Sequence, residues 1–274
     1  METASTVKAL YKASQRKIFY SQDIALNLQQ KWLQFRDEFL NLQIDGETHH
    51  YYWLNPVCRA FTEDQRKYHN FYHIDKLYEF YDNVLISKGL IDVEDQYTNS
   101  NFLLALWFHD IIYDPKAKDN EERSRIVFQE YMKKNEQIQK FNKKPDENLM
   151  SPQQIQLVEN IIMATVKHQI DESKFETPKD LQICKLFLDA DLSVLGSLPD
   201  DYDEYAQRIW EEYSYYGWDN YCKGRVQVLQ RFIEKDRLYF CDEIKNEIEE
   251  RARENIKREI IRLEQGQKLY EDLE

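Results

Sequence analysis

Apolar side chains recur every three or four residues along most of this chain, which is the spacing of one face of an α-helix. The stretch 243–268 shows this most clearly, with isoleucine, alanine and leucine at these intervals and charged residues between them. Glycine and proline number only 6 each in 274 residues. A β-sandwich or barrel needs a turn signal about every 8–12 residues, so the sequence predicts an all-α fold.

Polar stretches divide this pattern into separate elements. We expect helices over 22–40, 70–87, 101–112, 181–195, 202–214, 222–236 and 243–268. The stretch 101–112 is nearly all apolar, which indicates a buried central helix. Polar connections are predicted at 41–50, 88–99, 133–150 and 171–179.

One further helix carries a clear start signal. Ser151 can cap it, Pro152 occupies the first helical position, and Gln154 completes a capping box. The pattern continues to about His168. Taken together, the elements predict one domain over 51–274, preceded by an N-terminal helical extension over 1–50.

The charge of the chain restricts its partners. The net charge of −13 argues against nucleic acid and anionic membranes, because affinity for polyanions comes from basic residues. A small phosphorylated substrate remains compatible, since a bound metal ion can supply local positive charge.

The cysteines and the N-terminus bear on localisation. Four scattered cysteines without a C-x-x-C pair indicate a reducing compartment. No apolar run approaches the roughly 18–20 residues of a membrane span. We therefore expect a cytoplasmic protein. Residues 3–22 contain lysines and an arginine but no acidic residue, so a mitochondrial presequence is the alternative.

Several histidines lie where they could take part in chemistry. His69 and His73 form an H-x-x-x-H pair near the start of a predicted helix, and a spacing of four places both on one helix face. His109 and Asp110 lie towards the end of the apolar run 101–112. A charged pair is costly there unless it is paired or bound to a metal.

Two aspartates follow another apolar stretch, in the order Asp189-Ala190-Asp191. Imidazole and carboxylate donors without a thiolate favour Mn, Fe, Zn or Mg. Each motif has a plainer reading when taken alone, because such histidines are often surface residues and such aspartates are often helix caps. Their order, spacing and helical context nevertheless match one known pattern.

That pattern of His, then His-Asp, then a distant Asp, all on helices, resembles the HD superfamily of metal-dependent phosphohydrolases. The resemblance implies an HD-domain helical bundle whose divalent ion is held by His73, His109, Asp110 and Asp191. The segment YHNFYH at 68–73 is similar to the Y-H-N-x-x-H of cyclic-nucleotide phosphodiesterases. In those enzymes the second histidine binds metal and the first donates a proton, which implies that His69 is the proton donor here.

A family of predicted HD phosphohydrolases resembles the chain more extensively, over roughly residues 55–265. Its recurring motifs correspond here to 68–74, 105–114, 120–124, 165–168, 189–196, 224–229 and 252–255. Three further residues are candidates for a second metal or for substrate. Glu121 could hold a second ion, His168 could bind a second ion or phosphate, and Arg225 could contact phosphate oxygens. Ordinary structural roles remain open for all three.

The expected function is metal-dependent hydrolysis of a phosphoester bond in a small, nucleotide-like substrate, with one or two ions. Asp110 would orient the attacking water or bridge to a second ion. One alternative is a pseudoenzyme or structural subunit of a larger assembly, in which the N-terminal extension serves for docking. Another is HD-type oxygenase chemistry on a di-iron centre. The sequence leaves homo-oligomer formation open.

Overall fold

The computed structural model describes residues 23–35, 53–141 and 150–269, and these residues form helices and turns without any β-strand. The all-α prediction is therefore confirmed. The α-helices are α1 Asp23–Phe35, α2 Arg59–Phe61, α3 Phe71–Phe80, α4 Gln96–Phe108, α5 Asn120–Phe141, α6 Pro152–Thr165, α7 Pro178–Asp191, α8 Pro199–Tyr213, α9 Trp218–Ile233 and α10 Asp242–Glu264. Short π-helical segments span Trp53–Cys58 and Tyr81–Ile86, and 3₁₀ turns span Glu172–Lys174, Leu192–Gly196 and Ser214–Tyr216.

The predicted start of α6 is confirmed in detail. The Ser151 hydroxyl accepts a hydrogen bond from the Gln154 amide at 3.2 Å, and the Gln154 side chain accepts one from the Ser151 amide at 3.0 Å. The predicted end is wrong, because the helix stops at Thr165. His168 adopts a positive φ of 47°, a conformation that a right-handed helix cannot contain.

Two boundaries differ most from the sequence prediction. Helix α4 begins at Gln96 inside a predicted polar connection, because Asp95 caps it and accepts hydrogen bonds from the amide and hydroxyl of Thr98. Helix α5 continues to Phe141 through most of a predicted loop. Its lysines, glutamines and glutamates are good helix formers, while Phe128 and Tyr131 anchor it in the core.

Helix α4 is the centre of the fold. It contacts α3, α5, α6 and α7, and every residue from Thr98 to Phe108 is buried. The prediction of a buried central helix is thus confirmed. Because α4 is central, the residues that follow Phe108 lie in the middle of the molecule.

Helix α1 packs on the same core as the rest of the chain. The ring of Trp32 meets that of Trp107 edge to face, with centroids 5.2 Å apart, and Leu28 and Phe35 are also buried. The expected boundary near residue 50, the loop at 41–50 and the presequence-like segment 3–22 lie outside the described residues. Within the described ranges, no helix is long and apolar enough to cross a membrane.

Candidate metal centre

The C-terminal end of α4 fixes the orientation of the His109 ring. The backbone amide of His109 donates a helical hydrogen bond to the carbonyl oxygen of Ala105 at 2.9 Å, and Nδ1 of His109 lies 3.1 Å from the carbonyl oxygen of Leu106. A carbonyl can only accept, so Nδ1 carries a proton, and Nε2 is the ring nitrogen that can bind a metal once its own proton is displaced. Imidazoles that bind metals usually have this second hydrogen bond.

His73 approaches the same point from α3. The side chain of Asn70 caps this helix by accepting from the Tyr72 amide at 2.9 Å. The Nδ1 atom of His73 lies 3.2 Å from the Tyr68 hydroxyl, and its Nε2 lies 3.1 Å from Nε2 of His109. Two buried imidazoles thus direct the same ring nitrogen towards one position.

Two carboxylates complete this cluster. Oδ2 of Asp110 lies 3.2 Å from Nε2 of His109 and 3.8 Å from Nε2 of His73. Oδ1 of Asp191, at the end of α7, lies 3.2 Å from Nε2 of His73 and 3.7 Å from that of His109. His73, His109 and Asp110 form a group whose ligand atoms all lie within 4.8 Å of one another and could hold a metal ion. Asp191 contacts both imidazoles of that group.

The electrostatics of the cluster fit a bound cation. Burial acts to lower the pKa of both imidazoles, and for His73 it prevails, so this ring is held neutral as a metal ligand must be. For His109 the charge and hydrogen bond of Asp110 outweigh burial and raise the pKa to about 9. The carboxylates of the cluster thus favour positive charge at His109, and a divalent cation could supply that charge in place of the proton.

The structure separates the roles of Asp189 and Asp191. Asp189 is fully buried and faces away from the cluster, where its oxygens accept hydrogen bonds from the amides of Phe240 at 2.6 Å and Cys241 at 2.7 Å. It fastens the start of α10 to α7. Asp191 contacts the imidazoles instead, as the sequence interpretation expects of the ligand.

His168 also reaches the cluster, although it lies beyond the end of α6. Its Nε2 is 2.9 Å from Oδ2 of Asp191, the oxygen that His73 does not contact. The left-handed backbone at His168 turns the chain so that its ring faces α7. A second metal or substrate role for His168 stays a prediction.

His69 lies beside the cluster but is held by a different partner. Its Nδ1 donates to Oε2 of Glu212 at 2.7 Å, and its ring stacks on that of Tyr113 with centroids 4.3 Å apart. Burial acts to lower the pKa of His69, but the charge and hydrogen bond of Glu212 outweigh it, so the pKa is raised. The structure therefore distinguishes His69, which pairs with a glutamate, from His73, which faces the cluster.

Glu212 on α8 is a site residue that sequence reasoning missed. Its Oε1 accepts hydrogen bonds from the backbone amides of Lys67, Tyr68 and His69 at 2.8–2.9 Å, and its Oε2 also accepts from the Tyr113 hydroxyl at 2.7 Å. These donors and the charge of His69 outweigh the effect of burial, so the pKa of Glu212 is lowered. One buried carboxylate thus fixes both the backbone and the side chain of His69.

Arg66 is a second residue that sequence reasoning missed. Its guanidinium is buried and donates to the carbonyl oxygens of His69 at 3.0 Å, Asp110 at 2.7 Å and Ile111 at 3.0 Å. The planar fork of arginine can satisfy several acceptors at once. Arg66 therefore ties the segment before α3 to the segment after α4, and so sets the separation of the two histidine motifs. Neither Arg66 nor Glu212 was among the predicted site residues, because each contacts a site segment that is distant in sequence.

The cluster lies in the wall of a cavity of about 950 Å³. All of the predicted site residues except the buried His109 line it: His69, His73, Asp110, Glu121, His168, Asp191 and Arg225. Burial raises the pKa of Glu121, which lies in the first turn of α5. Arg225 already forms an ion pair with Glu259 at 3.0 Å, so a phosphate contact would share its guanidinium with that carboxylate.

Comparisons with known proteins do not identify this chain: no protein-family model, no curated protein and no solved structure matches it significantly. The functional argument therefore rests on the residues themselves.

Proposed function

We propose that this protein is a metal-dependent phosphohydrolase that acts on a small phosphorylated molecule. The observation that carries the proposal is the approach of the His73 and His109 Nε2 atoms to 3.1 Å, with a carboxylate oxygen of Asp110 or Asp191 3.2 Å from each, in the wall of a large cavity. The order of these residues resembles the HD superfamily, and the helical fold is compatible with that resemblance.

The four residues would hold the ion through two nitrogens and two carboxylates. This donor set suits Mn, Fe, Zn or Mg, and the sequence resemblance allows one ion or two. When bound, a divalent ion supplies Lewis-acid polarisation of a phosphoryl oxygen and eases the ionisation of water. Asp110 and Asp191 are positioned to accept hydrogen bonds from a water molecule in the cavity and so to orient it.

His69 would act as the general acid. Because Nδ1 donates to Glu212, the remaining ring nitrogen, Nε2, is the one available to donate a proton to a leaving oxygen. The raised pKa of His69 keeps the ring protonated to a higher pH than an ordinary histidine. Tyr113 stacks on the ring and donates to the same glutamate, which limits rotation of the imidazole.

The test combines metal analysis with a substrate panel. The protein is loaded separately with Mn, Fe, Zn and Mg, its metal content is measured, and each form is assayed with nucleotides, sugar phosphates and p-nitrophenyl esters. We expect hydrolysis of at least one phosphoester that is lost after chelation and restored by the metal. If every form binds its metal at full occupancy but hydrolyses nothing, while native mass analysis finds the chain in a larger assembly, the pseudoenzyme alternative is correct.

A further inference from the structure

Basic side chains are concentrated in the wall of the cavity that contains the cluster. Five cationic residues line it, namely Lys118, Lys167, Arg225, Arg231 and Lys235. Arg225 is paired with Glu259. Apart from Asp110 and Asp191, the carboxylates that line the cavity are Glu121 and Glu234, so four cations face two carboxylates there.

Two of these cations lie next to the cluster through His168. The Lys235 ammonium donates to the carbonyl oxygen of His168 at 3.1 Å, and the ring of His168 contacts Asp191 at 2.9 Å. Lys167 immediately precedes His168, in the turn that the positive φ of His168 creates. Lys167 and Lys235 therefore place positive charge beside His168, which itself contacts the cluster through Asp191.

Three of the cations are not neutralised by the protein. Within the described residues, Lys118, Lys167 and Arg231 are exposed and form no ion pair with a carboxylate. Four other cavities contain fewer unpaired cations. Arg208 pairs with Glu204 and Lys76 with Glu79 at 2.6 Å, and the described basic residues there without an ion pair number at most two to a cavity, as with Lys245 and Lys257. In a chain of net charge −13, three unpaired cations in the wall that also contains His73, Asp110 and Asp191 favour an anionic ligand.

We propose that this cationic wall, defined as Lys118, Lys167, Arg231 and Lys235, binds a second phosphoryl group of the substrate, which is therefore a polyphosphorylated small molecule. The inference rests on the proposed function, because it takes the first phosphoryl group to lie at the cluster. A lone monoester placed there would leave the wall without a counter-charge. A linked second phosphoryl group would be bound by charge-assisted hydrogen bonds.

The cavity also has room for an organic group. Tyr205, Tyr213 and Phe232 contribute aromatic surface to its wall, and aromatic faces can stack against a base. The polyphosphate chemistry is thus shared by two sources, a nucleoside di- or triphosphate and an inorganic polyphosphate. Only the nucleotide has a base that could stack on the aromatic side chains of the wall.

The test is calorimetric titration of the metal-loaded protein in excess magnesium. The first phosphoryl group needs the ion at the cluster, and excess magnesium keeps the polyphosphate from removing it. The probes are inorganic tripolyphosphate, inorganic phosphate and adenosine triphosphate. We expect tripolyphosphate to bind more tightly than phosphate, with an affinity that falls as salt rises. The double variant Lys118→Gln/Lys167→Gln should weaken tripolyphosphate binding about tenfold. Tighter binding of adenosine triphosphate would identify a nucleotide, and equal binding a polyphosphate chain alone.

The matched control is Lys174→Gln/Lys223→Gln, which removes the same charge from two exposed lysines outside the cavity. It should leave tripolyphosphate affinity within about twofold of the parent. Equal weakening in both double variants, or the absence of tripolyphosphate binding to the parent protein, would overturn the proposal.

The same experiment separates this inference from the proposed function. If the metal-loaded protein hydrolyses monoesters but tripolyphosphate does not bind at Lys118 and Lys167, the cationic wall has been misassigned and the hydrolase stands. If tripolyphosphate binds in the expected variant-dependent manner but no phosphoester is hydrolysed, the anion site stands and the hydrolase fails.

Discussion

Glu212 and His69 are 143 positions apart in the chain, yet their side chains form a 2.7 Å hydrogen bond beside the candidate metal centre. The same carboxylate accepts three consecutive backbone amides that end at His69. A histidine held in this way has a fixed tautomer, a fixed ring orientation and a raised pKa. These are the properties that a proton donor needs.

Glu212→Gln tests this arrangement through pH dependence. The amide can still accept backbone hydrogen bonds, but it removes the negative charge that raises the pKa of His69. The pKa should fall, so the protonated ring is lost sooner as pH rises. We expect the basic limb of the kcat/KM profile to move to lower pH, with metal content unchanged. An unshifted basic limb would show that His69 is not the group that titrates.

The assignment of metal binding to His73 and proton donation to His69 predicts different losses. His69→Ala should retain the metal and lose about 10²–10⁴ in turnover, the usual contribution of general acid–base catalysis. This loss should shrink for p-nitrophenyl esters, whose leaving group needs no proton. His73→Ala should lose metal and slow every substrate alike. Metal loss in His69→Ala, or an equal effect on good and poor leaving groups, contradicts the assignment.

Asp191 and Asp189 provide a second matched pair of substitutions, which are compared by measuring the metal content of each variant. Asp191 contacts both cluster imidazoles, so Asp191→Ala should lower metal affinity by about 10-fold or more. Asp189→Ala should retain the metal but destabilise the fold, because it leaves the amides of Phe240 and Cys241 without their buried acceptor. Elemental analysis and denaturant unfolding measure the two effects. The reverse order of metal loss would exchange the roles of the aspartates.

Gly196 tests how closely α10 packs on the turn that follows Asp191. A Cβ atom at Gly196 would lie 2.7 Å from Cβ of Ile248 and 2.9 Å from its carbonyl oxygen. Gly196→Ala should therefore lower the free energy of unfolding by about 1–3 kcal/mol, the usual cost of overpacking. Denaturant titration measures this change.

The control for that substitution is Gly224→Ala, within α9. No atom lies within 4 Å of the added Cβ, and alanine is the better helix former by about 1 kcal/mol. This variant should be at least as stable as the parent protein. A destabilised Gly224→Ala, or an unaffected Gly196→Ala, would contradict the described contact between α10 and the 3₁₀ turn.

Much of the helical architecture can be read from local sequence. The caps at Ser151 and Asn70 and the apolar run that becomes α4 involve residues a few positions apart, so their spacing carries the information. The motifs around His73, His109 and Asp191 are likewise local, and the structure brings all three together. The polar composition of 133–150 suggested a loop, yet α5 continues to Phe141, because its lysines, glutamines and glutamates are also good helix formers.

By itself, the sequence determined an all-helical chain with imidazole and carboxylate donors placed at helix ends. Only the tertiary structure decided which groups control those donors. Arg66 donates a hydrogen bond to the carbonyl oxygen of Asp110, 44 positions later in the chain. Glu212 binds His69 across 143 positions. Local spacing does not predict either role. A buried charge needs a partner, and the partners of Arg66 and Glu212 at the site become neighbours only when the chain folds. The spacing of residues along the chain specifies the helices. Buried contacts between distant segments specify the ring orientation and the protonation of the site histidines.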